Sequence, residues 1–208
     1  MNRTVAPLVV FVVASIAYVW LGNVVSHVPA HGIDVLARGL TGEWPAFAWI
    51  LTESCLWPVL VAFGLLAIIL AMRAPAWRER AIFSVVTTVV AWQTSDLLKN
   101  LFARPRPDYW IVHQETSFSY SSGHAMFAVV VYWLWAWFLV RSELPRAVRF
   151  TLAPLAFVWG AGVMWSRLAL GAHYVTDVAG GVLLGTALLA LAAAVRRALT
   201  GRAHPTGP

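Results

Sequence analysis

The sequence predicts an all-α, polytopic membrane protein built as a bundle of six transmembrane helices. Two observations carry this expectation. Of 208 residues, 60% are hydrophobic and only 12% charged, whereas soluble domains carry about 25% charged residues. The mean hydropathy is +0.72, too apolar for one aqueous core to hide. The apolar residues also gather into six stretches, running from about Val5 to Val25, Phe47 to Met72, Ala81 to Leu98, Ala125 to Val140, Val148 to Leu170 and Val178 to Val195. Each is near the roughly 20 residues a spanning helix needs.

The first stretch reads as a span rather than a cleaved signal, because its apolar run is long for a signal core and its positive flank is Arg3 alone. The fourth is short unless Ser122, Gly123 and His124 begin its helix. Punctuation falls between the stretches, at Pro29 and Gly32, Pro75, Pro105 and Pro107, and Pro145. No internal repeat and no second domain is evident, so residues 1–208 read as one domain, with a polar tail over 201–208 expected to be disordered. The single cysteine, Cys55, excludes an intramolecular disulfide.

The 15 basic residues divide unevenly. Ten lie on one side (Arg3, Arg73, Arg78, Arg80, Arg141, Arg146, Arg149, Arg196, Arg197, Arg202) and five on the other (Arg38, Lys99, Arg104, Arg106, Arg167). The positive-inside rule puts the first group in the cytoplasm. The formal charge of +6 therefore reports topology rather than nucleic acid, for which there is no basic run and no motif. Trp20, Trp44, Trp77 and Trp110 lie near span ends, as interfacial rings do.

Three polar segments then meet at the opposite, extracytoplasmic face by counting spans. Lys99 to Arg106-Pro107 closes the third span, Ser121-Ser122-Gly123-His124 opens the fourth, and Ser166-Arg167, His173 and Asp177 join the fifth to the sixth. Lys99, Arg106 and Arg167 are three cations suited to a tetrahedral oxyanion. Ser122 and Gly123 sit where a helix begins, and its free N–H groups favour an anion. His173 and Asp177 are four apart, so the carboxylate can hold one imidazole nitrogen and leave the other as a nucleophile. His124, from another span, can approach as general acid. Taken singly, each feature has an ordinary explanation: a snorkelling cation, a structural histidine, a helix cap. Their joint placement on one face does not.

These residues resemble the type 2 phosphatidic acid phosphatase family, whose members include lipid phosphate phosphatases. Its pattern is Lys-x6-Arg-Pro, Pro-Ser-Gly-His and Ser-Arg-x5-His-x3-Asp. The first and third are present with full spacing, and in the second Ser121 replaces the proline. The resemblance implies a bacterial membrane phosphatase in which His173 is the nucleophile, Asp177 its orienting carboxylate, and His124 the acid and later base. Lys99, Arg106, Arg167, Ser122 and Gly123 would bind phosphate. It implies metal-independent hydrolysis, without cofactor, of a lipid-linked mono- or diphosphate such as undecaprenyl diphosphate or a phospholipid phosphate. The site would face the periplasm from the inner membrane. A phosphotransferase passing the phosphoryl group to a lipid or sugar hydroxyl would use the same site. A non-catalytic partner would be expected to have lost His173 or Asp177.

Other ionisable residues are less determined. Asp96 is expected to pair with Lys99 one turn on. Glu53 lies within the second span, near either the site or an arginine. Arg104 reads as a spare phosphate contact in the loop that also holds Asp108, Tyr109 and Glu115. His27, His31 and His113 fit no tight metal spacing.

Overall fold

A computed structural model of the protein describes residues 4–111 and 116–202. It is helical among the described residues, with α1 (Val5–Ser26), the short α2 (Ile33–Leu36), α3 (Pro45–Glu53), α4 (Trp57–Arg73), α5 (Arg78–Phe102), α6 (Gly123–Phe127), α7 (Leu134–Val140), α8 (Arg146–Ala169) and α9 (Val175–Arg202). A π-helical stretch, Ala128–Trp133, joins α6 to α7 into one span, Gly123–Val140. Among the described residues, five helices are long and apolar enough to cross a membrane, and six if α3 and α4 count as one bent span.

The second stretch, expected from Phe47 to Met72, is bent. α3 and α4 meet at 47°. Pro58 has no N–H to offer the Ser54 carbonyl one turn back, and its ring crowds that position. A bare carbonyl is costly at membrane depth. Here the Tyr132 hydroxyl donates to Ser54 O at 2.9 Å and Trp159 Nε1 donates to Ser54 Oγ at 3.0 Å. Two neighbouring spans thus make the break tolerable, and the break sets Thr52 beside the polar end of α8. Glu53 ends α3 and has no side-chain partner among the described residues.

α9 packs along α1 and against α6, while α3 and α7 lie on α8 and α4 lies on α5. The close approach of α6 to α9 requires glycine. A Cβ on Gly181 would sit 2.4 Å from the Ser122 carbonyl oxygen. Outward faces carry exposed Val, Leu, Ile and Trp side chains over α1, α4, α5 and α8, as an apolar solvent requires. The helix α9 runs two residues into the expected tail; residues 203–208 lie outside the described residues.

Candidate active site

The three polar segments converge, and local backbone rules explain how. α5 ends at Phe102 with Ala103 in the left-handed region (φ 47°), and Pro105 disfavours further helix. Lys99 is left in the last turn, with Arg106 just beyond. α8 ends on Gly171 (φ +68°), where a Cβ would meet the Tyr109 carbonyl oxygen at 2.6 Å. The Gly171, Ala172 and His173 N–H groups fold back onto the carbonyls of Leu168 and Arg167 at 2.9–3.2 Å. This left-handed helix stop brings His173 back over the end of α8. Ser122 caps α6, accepting from Ala125 N at 3.4 Å, and its own N–H donates to Asp177 O at 3.0 Å. The departure at Ser121 coincides with a cis peptide bond between Tyr120 and Ser121.

Asp177 has no exposed surface. It lies in the first turn of α9 and reaches back to the Tyr174 N–H at 2.9 Å, as a carboxylate does at a capped helix start. Oδ2 also accepts from Ser119 Oγ at 2.5 Å and lies 3.4 Å from His173 Nδ1. Oδ1 accepts from Arg104 Nη1 at 2.6 Å. Four donors therefore surround the carboxylate, which fixes its plane. On the far side of the imidazole, Arg106 Nη1 lies 3.2 Å from His173 Nε2. A guanidinium can only donate, so Nε2 accepts and the ring proton belongs on Nδ1, toward Asp177 and Ser119. That assignment leaves the nucleophilic lone pair on Nε2, facing the cations.

Arg106 is held by Ala172 O at 3.0 Å, by Ser117 O at 2.6 Å and by Ser117 Oγ at 2.9 Å, and Lys99 Nζ donates to the same hydroxyl at 3.3 Å. Arg167 is 3% exposed and donates from Nη1 to Thr52 Oγ1 at 2.5 Å. His124 lies within electrostatic range of Arg167, His173, Lys99 and Arg106. Its Nε2 is buried with no hydrogen-bond partner among the described residues. An imidazole in that state, beside three cations, is equipped to exchange a proton with a bound group. All eight residues nominated from sequence thus meet in one place.

Some expectations are corrected. Arg104 is not a spare anion contact: it is 3% exposed and bonded to two carboxylates, Asp177 and Asp34 (2.8 Å to Asp34 Oδ2). Burial opposes its charge, but Asp177 and Asp34 outweigh burial and raise its pKa above the ordinary arginine value. Asp96 is exposed on α5 and does not pair with Lys99, whose ammonium turns to Ser117 instead. His27 and His31 bond through Nδ1 to the carbonyls of Asn23 and Pro29. His113 and Glu115 lie outside the described residues. Asp34, Thr52, Ser117, Ser119 and Thr176 were not legible as site residues. Each is a small polar side chain in a loop or at a helix end, and its partner is distant in sequence.

The profile of the PAP2 superfamily matches residues 80–200, more than half of the chain. The chain belongs to the PAP2 superfamily. The match contains every PAP2 motif residue named above, from Lys99 to Asp177. Two curated relatives are phosphatidylglycerophosphatase B of Bacillus subtilis (strain 168) and of Escherichia coli (strain K12). The first is 40% identical over 100 residues, 46% of this chain and 47% of that protein. The second is 36% identical over 117 residues, 54% of this chain and 44% of that protein. The matched region thus spans about half the length of these relatives. The fold is similar to the crystal structure of a transmembrane PAP2 type phosphatidylglycerolphosphate phosphatase from Bacillus subtilis, with a TM-score of 0.58 at 24% identity over 100% of both chains.

Proposed function

We propose that this PAP2 protein is an integral membrane lipid phosphatase working through a phosphohistidine. The observation that carries the reading is His173 itself. Its Nδ1 is held toward Asp177 and its Nε2 faces Arg106, among Lys99, Arg167 and the cap of α6. When a phosphate ester binds, Arg106 moves its N–H from Nε2 to a phosphate oxygen. Nε2 attacks phosphorus, the bond from phosphorus to the lipid oxygen breaks, and His124 gives that oxygen a proton. Water then attacks phosphorus while His124 takes a proton from it, the N–P bond breaks with its electron pair returning to Nε2, and phosphate leaves. Lys99, Arg106, Arg167 and the N–H groups at Gly123 oppose the charge on the equatorial oxygens throughout. The rate is bell-shaped in pH, because His173 attacks neutral while His124 donates protonated.

The substrate is a lipid-linked mono- or diphosphate. A phosphatidylglycerophosphate-like headgroup agrees with the names of the relatives, and a polyprenyl diphosphate is the other member of the class. The three cations and the helix start supply the charge stabilisation that a metal gives elsewhere, so we propose metal-independent turnover. The test is phosphate release by the detergent-solubilised protein from a panel of lipid phosphates, with and without a strong chelator. The expected result is hydrolysis of at least one lipid in the panel, unchanged in chelator. Loss in chelator with recovery on adding one metal overturns metal independence. Release only when a lipid or sugar hydroxyl is supplied indicates phosphotransfer.

The arginine bias favours a site on the extracytoplasmic side. A cysteine placed at Asp108 in a Cys55→Ser background should react with a membrane-impermeant maleimide in intact cells, and one placed at Glu143 should not. The reverse pattern puts the substrate on the inner leaflet.

A further inference from the structure

The mechanism uses one face of Asp177; the other face belongs to a buried cluster that it leaves unexplained. Arg104 spans two carboxylates, Asp177 Oδ1 at 2.6 Å and Asp34 Oδ2 at 2.8 Å, and donates to Thr176 Oγ1 at 2.7 Å. Asp34 comes from the short α2 after the first span. It accepts the Thr176 N–H at 2.9 Å and the Thr176 hydroxyl at 2.7 Å, so it also caps α9 one residue before Asp177. Asp34 and Arg104 are each 3% exposed, and the Tyr174 ring covers the guanidinium at 4.3 Å. Burying a carboxylate is costly without a return. A lone arginine would already have held Asp177 in place, so Asp34 needs another reason.

Charge supplies one. Arg104 with Asp177 alone would be neutral. With Asp34 the three groups sum to one net negative charge, directed at the His173 ring. We propose that Arg104 and Asp34 are a positioning pair for the nucleophile: Arg104 sets the plane of Asp177, and Asp34 preserves the negative charge that His173 needs as it becomes positive on forming the N–P bond. The inference rests on His173 being the nucleophile. Arg106 and His124 also face the ring, Lys99 and Arg167 act on His124 beside it, and Tyr109, Asp108 and Arg38 border the cluster. These surroundings stay constant in the comparison below.

The signs differ between the two partners. Asp34→Asn leaves the cluster neutral, so protonated His173 is less favoured and the limb of the rate profile that His173 governs moves to lower pH. Arg104→Met leaves two carboxylates, so the limb moves to higher pH. The double variant returns the net charge to minus one, so the limb returns to its original place. Each displacement should be roughly 0.5–1 pH unit. In the two variants that lack Arg104, kcat should remain about tenfold or more below the parent, because the plane of Asp177 is no longer fixed from both sides. The measurement is hydrolysis of an aryl phosphate against pH by the full-length protein, with thermal melting as a fold check. If Arg104→Met fails that check, Asp34→Glu replaces it and should hold the limb where Asp34→Asn does not. Single variants that move the limb in the same direction, or not at all, overturn the inference. Turnover surviving in His173→Ala overturns instead the phosphohistidine reading on which it rests.

Discussion

His124→Ala given an aryl phosphate should accumulate phosphate on His173. His124 serves two steps in the proposed mechanism, protonating the leaving oxygen and then activating water. An aryl oxide leaves with little help, so the first step survives the substitution while the second slows by about 10²–10⁴-fold, the usual range for a positioned acid–base group. The buried Nε2 of His124, without a hydrogen-bond partner among the described residues and among three cations and His173, is the observation behind this. The adduct should be acid-labile and alkali-stable, as a phosphoramidate is, and should map by mass spectrometry to His173. His173→Ala should show neither adduct nor turnover. Slow turnover by His124→Ala with no phosphate ever on the chain would make direct attack by water the better mechanism, and the role given to His173 wrong.

Asp177→Asn should be nearly as damaging while leaving the fold in place. Asparagine keeps the shape, but one end of its amide becomes a donor. The carboxylate now meets four donors, from Arg104, Ser119, Tyr174 N–H and His173 Nδ1. An amide cannot accept from all of them, so one contact becomes donor against donor. If that contact is His173, the ring takes the other tautomer and presents a protonated Nε2 that cannot attack. The expected loss in kcat is about 10³–10⁴-fold, by analogy with carboxylate-oriented histidines in general, with KM for a lipid phosphate changing little. The direct check is the imidazole 15N shift, which reports the tautomer in parent and variant. A ring still protonated on Nδ1 in Asp177→Asn, with activity lost, would show that Asp177 acts through charge and not through the tautomer.

Much of the site could be read from the chain because its parts are local in sequence. Lys99 and Arg106, Ser122 to His124, and Arg167 with His173 and Asp177 each lie within a short segment at a helix end or between two helices, where spacing alone brings the groups together. Counting apolar stretches then sent all three to the same side of the bundle. The bend at Ser54 to Pro58 escaped that reading. Pro58 was visible, but whether a proline bends or ends a span depends on who satisfies the freed Ser54 carbonyl, and Tyr132 stands 78 positions away. Asp96 failed for a related reason. An i, i+3 pairing with Lys99 was sound as a local rule, yet Ser117 lies where the ammonium gains more.

What the sequence by itself determined is therefore the membrane class, the number of apolar stretches and the candidate site residues with their spacing. Hydrophobic length and helix-end chemistry are properties of short segments, and short segments are legible. Only the tertiary structure decided which carboxylates Arg104 joins, and so that Asp34, from the short α2 70 residues away, belongs to the same charge cluster as Asp177. A buried ion pair is chosen by burial and by competition among donors, and both are set by packing between spans. The sequence placed Arg104 two residues before Arg106 and suggested a shared ligand. The left-handed turn at Ala103 and the stop at Pro105 direct Arg106 to His173 and Arg104 to the buried side of Asp177, where a net charge can be held away from water.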